Sequence, residues 1–326
     1  MSKIITEKHF QFDIPDGKKK ERIDLYLTNS IEKSTRSKIQ KLIREGFVTV
    51  NQKVVKQNFI INPGDVINVR IPVSPRPEEV EPEDIPLKIV FEDDDLIIIN
   101  KAPGVVVHPA LGNYTGTLVN ALLHHTSKLS KFNEPVRAGI IHRIDKDTSG
   151  LLVVAKDEWV HSQLAKDFAK HKIERKYIAV VWGHLKKRED EIIGNIARSK
   201  KDRKIFCVSE SDGKPAHTFY KVIKEFDFLS LVELQLKTGR THQIRVHMSH
   251  IHHPVFGDPI YGGRAIHYGY NLPKIKSRVN NLLEIIPRQA LHAKTLGFVH
   301  PRTGEKMLFD SELPEDFSNL LSALEN

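Results

Sequence analysis

Between His142 and Asp147, five of six side chains are charged or imidazole: His142, Arg143, Asp145, Lys146 and Asp147. An apolar run, GLLVVA (Gly150–Ala155), follows at once. Two carboxylates thus sit inside a basic cluster, just before a strand-like segment. An aspartate is already ionised at neutral pH and needs no base to activate it. In a closed site it can act as a nucleophile at an electrophilic carbon, or as a base. Once water leaves, such a group needs a cation beside it. Arg143 is adjacent in sequence. Arg240 and Arg245 lie in TGRTHQIRVH (Thr238–His247), where a strand pattern hands over to a helical one. Each stretch alone also has a plain structural reading, as a salt-bridged loop and a capped helix.

Other chemistries are less well supplied. His242, His247, His250, His252 and His253 crowd one predicted helix end, and histidines three apart can share a metal. No His-Glu-x-x-His accompanies them, so no metal site is expected. Cys207 has no diagnostic context, and no Gly-x-Ser-x-Gly elbow is present. A dinucleotide fingerprint and a phosphate-binding Gly-Lys-Ser/Thr loop are both missing, so no nucleotide cofactor is expected.

The elements that must position these residues follow from pattern and composition. A chain of 326 residues favours two domains. PVSPRPEEVEPEDIP (Pro72–Pro86) holds five prolines and five acids and reads as a stiff, extended linker. Before it, Ile23, Leu27 and Ile31 recur at helical spacing. A second helix carries Ile39, Leu42 and Ile43 on one face, with Ser34 or Ser37 as cap and Gly46 at the C′ position. Lys33, Arg36, Lys38, Lys41 and Arg44 on that helix have no acid among them, a pattern suited to phosphates as well as to a solvated face.

Beyond the linker, two strand-like runs flank the acidic turn of LKIVFEDDDLIIINK. TGTLVNALLHH and DEWVHSQLAKDFAKHK read as helices, the latter capped by Asp157. GLLVVA, ERKYIAVVWG, AHTFYKVIKEF and FLSLVELQLKTGR read as strands. THQIRVHMSHI reads as a helix with Thr241 as cap. Many strands, short turns and few helices indicate an α+β fold with a mostly antiparallel, mixed sheet flanked by helices. A net charge of +9 favours a polyanionic partner, and one cysteine suggests a reducing, cytoplasmic setting. No apolar run approaches the length of a membrane span.

HRIDKDTSGLLVVAK, then ERKYIAVVWG, then LKTGRTHQIRVHMSHIHHPVFGDPIYGG together resemble the RluA family of ribosomal RNA pseudouridine synthases, from Leu87 to the C-terminus. HPALGNYTGTLVNALLHH and RQALHAKTLGFVHP look most like its D-type branch. Ile144 stands where that family usually has Leu. Glu21 to Ile71 resembles the small RNA-binding domain first seen in ribosomal protein S4, with Gln52 where that domain usually has Gly, so a different turn type is expected there. The organisation implied is an S4-like domain over 1–71, a linker over 72–86 and a catalytic domain over 87–326.

The resemblance implies that uridine in large-subunit (23S) ribosomal RNA, or in a large-subunit precursor, is isomerised to pseudouridine without a cofactor. Asp145 matches the family's essential aspartate, Arg245 its arginine partner and Tyr177 its active-site tyrosine. Arg143 would fill the gap left by a flipped-out uridine, with Arg240 and His142 among the RNA contacts. Lys146 and Asp147 would support the loop. Lys33, Arg36, Lys38, Lys41 and Arg44 would hold phosphates. A monomer is expected. An inactive RNA-binding protein, a C-type target and a glycoside or nucleoside hydrolase are the competing expectations.

Overall fold

The computed structural model describes residues 6–32, 34–73, 80–110, 113–131, 138–199, 202–203, 205–267 and 272–325. The chain divides into two compact units, Met1–Pro77 and Glu78–Asn326.

The first unit runs β1 (Thr6–Asp13), β2 (Glu21–Arg22), α1 (Ile23–Ser30), α2 (Arg36–Arg44), β3 (Val48–Val50), β4 (Lys53–Val54), β5 (Ile60–Ile61) and β6 (Val66–Val73). Four strands form a sheet in the order β1-β6-β3-β4, while β2 pairs with β5. Ile23, Leu27 and Ile31 bury their shared face against Ile39, Leu42 and Ile43, as the spacing requires. α2 ends in a Schellman motif. Phe47 N donates to Leu42 O (2.9 Å) and Gly46 N to Ile43 O (3.2 Å), with Gly46 at φ 78°. Its cap is Thr35, not Ser34 or Ser37: the Thr35 hydroxyl accepts from Lys38 N. Thr35 has the extended backbone a cap needs, whereas Ser37 already lies inside the helix.

The β3–β4 turn also departs from expectation. Asn51 and Gln52 both take positive φ, at 50° and 67°, the signature of the same type I′ turn that Asn-Gly would form. Asn51 explains why. Its side chain donates to Asp65 Oδ1 (2.8 Å) and accepts from Val66 N (2.9 Å), which pins the turn and leaves Gln52 to take a left-handed backbone costing about 1 kcal/mol.

A carboxylate is buried between α1 and α2. Asp24 accepts from Arg22 (3.0 and 3.1 Å), Arg36 Nε (3.0 Å) and Gln40 Nε2 (2.7 Å). Burial alone would raise its pKa, but the bonds from Arg22, Gln40 and Arg36 outweigh it and hold the group at about 2.

The second unit contains β7 (Ile89–Glu92), β8 (Leu96–Lys101), α3 (Leu118–His125), β9 (Ser149–Ala155), α4 (Glu158–Ala169), β10 (Glu174–Trp182), β11 (Glu189–Arg198) and β12 (Phe206–Ser209). It continues with β13 (Lys214–Glu225), β14 (Leu229–Leu236), α5 (Gln243–His250), α6 (Pro273–Ile285), β15 (Leu291–Val299), β16 (Lys306–Asp310) and α7 (Glu315–Glu325). One ten-stranded sheet runs β12-β11-β13-β14-β10-β15-β9-β8-β7, with β16 also on β15. Every pairing is antiparallel except β15 with β9. The unbroken apolar runs of β8 and β9 follow from burial on both faces. Ile97, Ile99, Leu152 and Val154 join a core with Leu118, Val119 and Leu122 of α3. Leu96, Ile98, Leu151 and Val153 join a second core with Val160 and Leu164 of α4. Asp157 caps α4 through Val160 N (2.9 Å).

The Pro72–Pro86 stretch is docked at its C-terminal end. Asn120 Nδ2 donates to Glu81 O (2.8 Å), Glu83 N to Asn120 O (3.0 Å), and Gly116 N to the Glu83 carboxylate (3.1 Å). Residues 80–86 offer these groups to the α3 N-terminus. Among the described residues no helix is long and apolar enough to cross a membrane.

A carboxylate with a depressed folded pKa contributes stability above its unfolded value and loses it as pH falls through the folded one. Amide protection in α1 and α2, measured against the intrinsic exchange rate at each pH, should therefore fall between pH 3.8 and about 2. Asp24→Asn should remove that acid step and slacken the helices at neutral pH, because two guanidiniums lose their buried acceptor. An acid step unchanged in Asp24→Asn would contradict this.

Candidate active site

The sheet order gathers the predicted site. Tyr177 on β10 lies opposite Leu234 of β14 on one side and Ala293 of β15 on the other. Ala293 in turn pairs with Gly150 at the start of β9. One row across four strands thus brings together Tyr177, the loop leading into β9 with Asp145, and the end of β14 that leads to Arg245. Gly150 is required for this closeness. It takes φ 115°, and a Cβ there would lie 2.2 Å from Ala293 O. β15 carries one extra residue, Lys294, opposite the Lys176–Tyr177 step, a bulge beside the site.

Asp145 is held from two sides. Its backbone carbonyl accepts from Thr148 N (3.1 Å), closing a turn. The next two carbonyls are taken by buried cations. Lys101, only 2% exposed, donates to Lys146 O (2.9 Å), Ala102 O (2.7 Å) and Val105 O (2.9 Å). Burial pushes this ammonium down to about 7. Arg288 donates to Asp147 O (2.9 Å) while bound bidentately by Asp316 (2.7 and 2.9 Å). Lys146 and Asp147 therefore support the loop through their main chain.

The Asp145 carboxylate meets a guanidinium. Arg245 Nη1 donates to Asp145 Oδ2 (2.9 Å). The other side of the Arg245 fork is taken by Asp258, with Nε to Oδ2 at 2.6 Å and Nη2 to Oδ1 at 3.0 Å. Asp258 is fully buried, and its Oδ1 also accepts from Ile260 N (2.8 Å) and Tyr261 N (3.1 Å). Burial opposes the charge of Arg245, but Asp258, and then Asp145, outweigh it and hold the guanidinium protonated more firmly than a free arginine. Asp145 Oδ1 lies 3.8 Å from His242 Nε2, beyond hydrogen-bond reach. One carboxylate oxygen is thus clamped, and the other remains open to a ligand.

This pair lines a cavity of about 540 Å³ with Tyr177, Arg143, Arg175, Arg240, His242 and Leu291. The volume suits a nucleoside-sized guest. Burial pushes the Tyr177 hydroxyl up from its ordinary value, so it is neutral at physiological pH. Among the described lining residues Asp145 is the one acid.

The α5 start differs from expectation. Thr241 does not cap it. His242 occupies the cap position in a left-handed backbone (φ 55°), and Gln243 folds back to accept from Arg240 N (2.9 Å) and Thr238 Oγ1 (2.8 Å). Of the histidines in and beside α5, three are bonded within the protein. His242 Nδ1 shares a hydrogen bond with the Tyr261 hydroxyl (2.8 Å), His247 Nδ1 with Thr218 Oγ1 (3.0 Å), and His253 Nδ1 donates to Trp182 O (2.7 Å).

Comparison with known proteins decides the family. Residues 95–250 match the model for RNA pseudouridylate synthase, and residues 21–67 match the S4 domain. A ribosomal large subunit pseudouridine synthase D of Zymomonas mobilis is 46% identical over 309 residues, covering 93% of each chain. An uncharacterized RNA pseudouridine synthase of Chlorobaculum parvum is 46% identical over 312 residues, 93% of this chain and 94% of that one. The chain belongs to the RNA pseudouridine synthases. The human RNA pseudouridylate synthase domain containing 4 superposes with a TM-score of 0.55 at 25% identity, covering 73% of this chain and 92% of that one. The synthase is therefore an isomerase acting on RNA, on an α+β fold with an S4 domain.

The remaining predicted residues of the synthase divide. Arg143 is exposed at the cavity, while Arg240 lines it with Nε donating to Pro215 O (2.9 Å). His142, expected among the RNA contacts, lines the cavity and is bonded within the protein. Its Nε2 accepts from Val153 N (3.1 Å), its ring stacks on Phe168, and burial pushes it down to about 3. On α2, Lys38, Lys41 and Arg44 are exposed, Lys41 lying 3.7 Å from Glu45. Arg36 is exposed as well, while its Nε donates to Asp24 (3.0 Å). Lys33 lies outside the described residues. Asp258, Lys101 and Arg288 were not identified from sequence. Asp258 sits in FGDPIYGG and Lys101 ends LIIINK, but neither spacing signals a partner.

Asp258→Asn places an amide among four donors and leaves Arg245 half unpaired. It should cost about 3 kcal/mol of stability and lower turnover about 100-fold through misplacement of Asp145. Melting together with steady-state rates on ribosomal RNA checks both. Wild-type rates in a destabilised variant would contradict the positioning.

Proposed function

We propose that the synthase isomerises uridines of large-subunit (23S) ribosomal RNA in the cytoplasm, with Asp145 acting on the ribose. The observation that carries this is the one-sided clamp on Asp145: Oδ2 held by Arg245, Oδ1 open in a cavity shared with Tyr177. The names of the D-type relatives support the ribosomal substrate.

A uridine stacked in RNA cannot reach this cavity, so it must flip out of the stack, with Arg143 at the rim filling its place. The ionised Asp145 then acts in one of two ways. It attacks the anomeric carbon, and uracil leaves with the electrons of the broken N–C bond. Alternatively it abstracts a ribose proton, and the sugar forms a glycal as uracil leaves. On the first route the freed base rotates, its carbon 5 attacks the anomeric carbon and the Asp145 carboxylate leaves; on the second, carbon 5 adds to the glycal and the abstracted proton returns to the ribose. In either case carbon 5 then loses its proton and N1 gains one, with the Tyr177 hydroxyl beside the base. Arg245 fixes the carboxylate rotamer throughout.

A hydrolase needs a second carboxyl group to direct water. Asp145 is the one acid among the described cavity residues, and Asp258 is sealed behind Arg245. The geometry therefore favours return of the base over its loss.

Asp145→Asn preserves shape and removes the charge. It should lower tritium release from carbon-5-labelled uridine in RNA by at least about 10³-fold. Full activity would refute the role of Asp145, and free uracil as product would turn the reading toward a hydrolase. Pseudouridine mapping in cells lacking the gene identifies the target uridines. The N-terminal unit adds phosphate contacts, so removing residues through Pro75 should weaken capture of whole ribosomal RNA more than turnover of a short stem-loop. Equal losses on both substrates would contradict that division.

A further inference from the structure

Among the described residues three arginines are buried: Arg175, Arg245 and Arg288. Arg245 and Arg288 are each bound bidentately by a carboxylate, Asp258 and Asp316. Arg175 differs. It is 7% exposed, its Nε is buried without a hydrogen-bond partner, and no described carboxylate forms an ion pair with it. Its guanidinium lies over the Phe168 ring, 5.3 Å from the centroid. An uncompensated cation in the interior is costly, and a ring face offsets only a small part of that.

Its position says what would compensate it. Arg175 stands two residues before Tyr177 on β10, so both side chains leave the same face of the strand, and both line the active-site cavity. The loop from β14 to α5 passes the guanidinium at Gly239. A Cβ there would lie 2.8 Å from Arg175 Nη1, so glycine leaves the fork room. Arg143 and His171, both exposed, line the same cavity. A buried guanidinium that lines a basic cavity and has no carboxylate partner matches a phosphate oxygen. Uracil and ribose are neutral guests and would each return only an ordinary hydrogen bond. The phosphodiester is the anion that an RNA substrate brings.

We propose that Arg175 binds a phosphodiester flanking the flipped uridine and so sets the depth at which the nucleotide seats between Asp145 and Tyr177. This rests on the reading that the cavity receives a uridine of RNA. Arg175 is thus a substrate-positioning residue, and its missing counterion is supplied by the substrate.

The test is a chemical double-mutant cycle on the full-length synthase. Stem-loops around a mapped target uridine are made with a neutral methylphosphonate at the 5′ or the 3′ phosphate. In the wild type, one of the two should lower kcat/KM at least tenfold. Arg175→Met should show a similar loss on the natural RNA, and no further loss when that same phosphate is neutralised. Losses that multiply at both positions would overturn the proposal, as would a wild type indifferent to both. If Arg175→Met fails to fold, Arg175→Lys, which keeps the charge without the fork, should show a smaller methylphosphonate penalty than the wild type. An unchanged penalty would again overturn the proposal. A wild type that forms no pseudouridine in any RNA would instead remove the underlying reading of the cavity, an outcome distinct from multiplicative losses in an active enzyme.

Discussion

The second unit is organised around one guanidinium shared by two carboxylates. Arg245 presents a planar fork. Asp258 takes one edge bidentately, and Asp145 takes the remaining Nη1. Asp258 can be fully buried because backbone N–H groups of Ile260 and Tyr261 complete its hydrogen bonding. The fork is therefore oriented before any ligand arrives, and it fixes where the Asp145 carboxylate can stand. Removal of either buried partner would strand the other, which is why the arrangement is held by several elements at once: α5, the segment after it, and the loop entering β9.

That loop is secured by the same device in a different form. Lys101 and Arg288 do not pair with its side chains; they take the carbonyls of Lys146 and Asp147. Main-chain anchoring leaves the Asp145 carboxylate to Arg245 alone. It also explains how a run dense in charge leaves one carboxylate facing the cavity while Lys146 and Asp147 are held by their main chain. Among the described residues the buried cations of this unit thus have assigned anions or carbonyls, with Arg175 the exception among the arginines. The first unit uses the same logic at Asp24, where two arginines and a glutamine surround one carboxylate. Part of the basic charge of the chain is therefore internal, and it is the exposed remainder that is available to RNA.

Local signals were legible where a side chain acts on its own neighbours in sequence. The helical spacing of Ile23, Leu27 and Ile31, the Gly46 terminus, the Asp157 cap and the unbroken apolar runs of β8 and β9 all correspond to what formed. Caps were misread where tertiary contacts competed. Thr35 displaces Ser34 and Ser37 at α2, and Gln243 folding back onto Thr238 and Arg240 replaces Thr241 at α5. Gln52 takes a glycine-like backbone because Asn51 is pinned by Asp65 and Val66, a bond to the start of β6 that Asn51-Gln52 alone does not announce.

The sequence by itself determined the family, the α+β class, and three residues, Asp145, Tyr177 and Arg245, that the fold brings to one cavity. It could do so because each lies in a motif whose residue types and order are distinctive. Tertiary structure alone decided what those residues meet. Asp258, Lys101 and Arg288 reach the site through strand order and helix packing, and their spacing in the chain carries no trace of it. It also decided that His142 and Arg36 have partners within the protein, a strand N–H and a buried carboxylate. Which anion or donor a charged side chain finds is set by distance in space and by the cost of burial. Neither quantity is written in the order of residues.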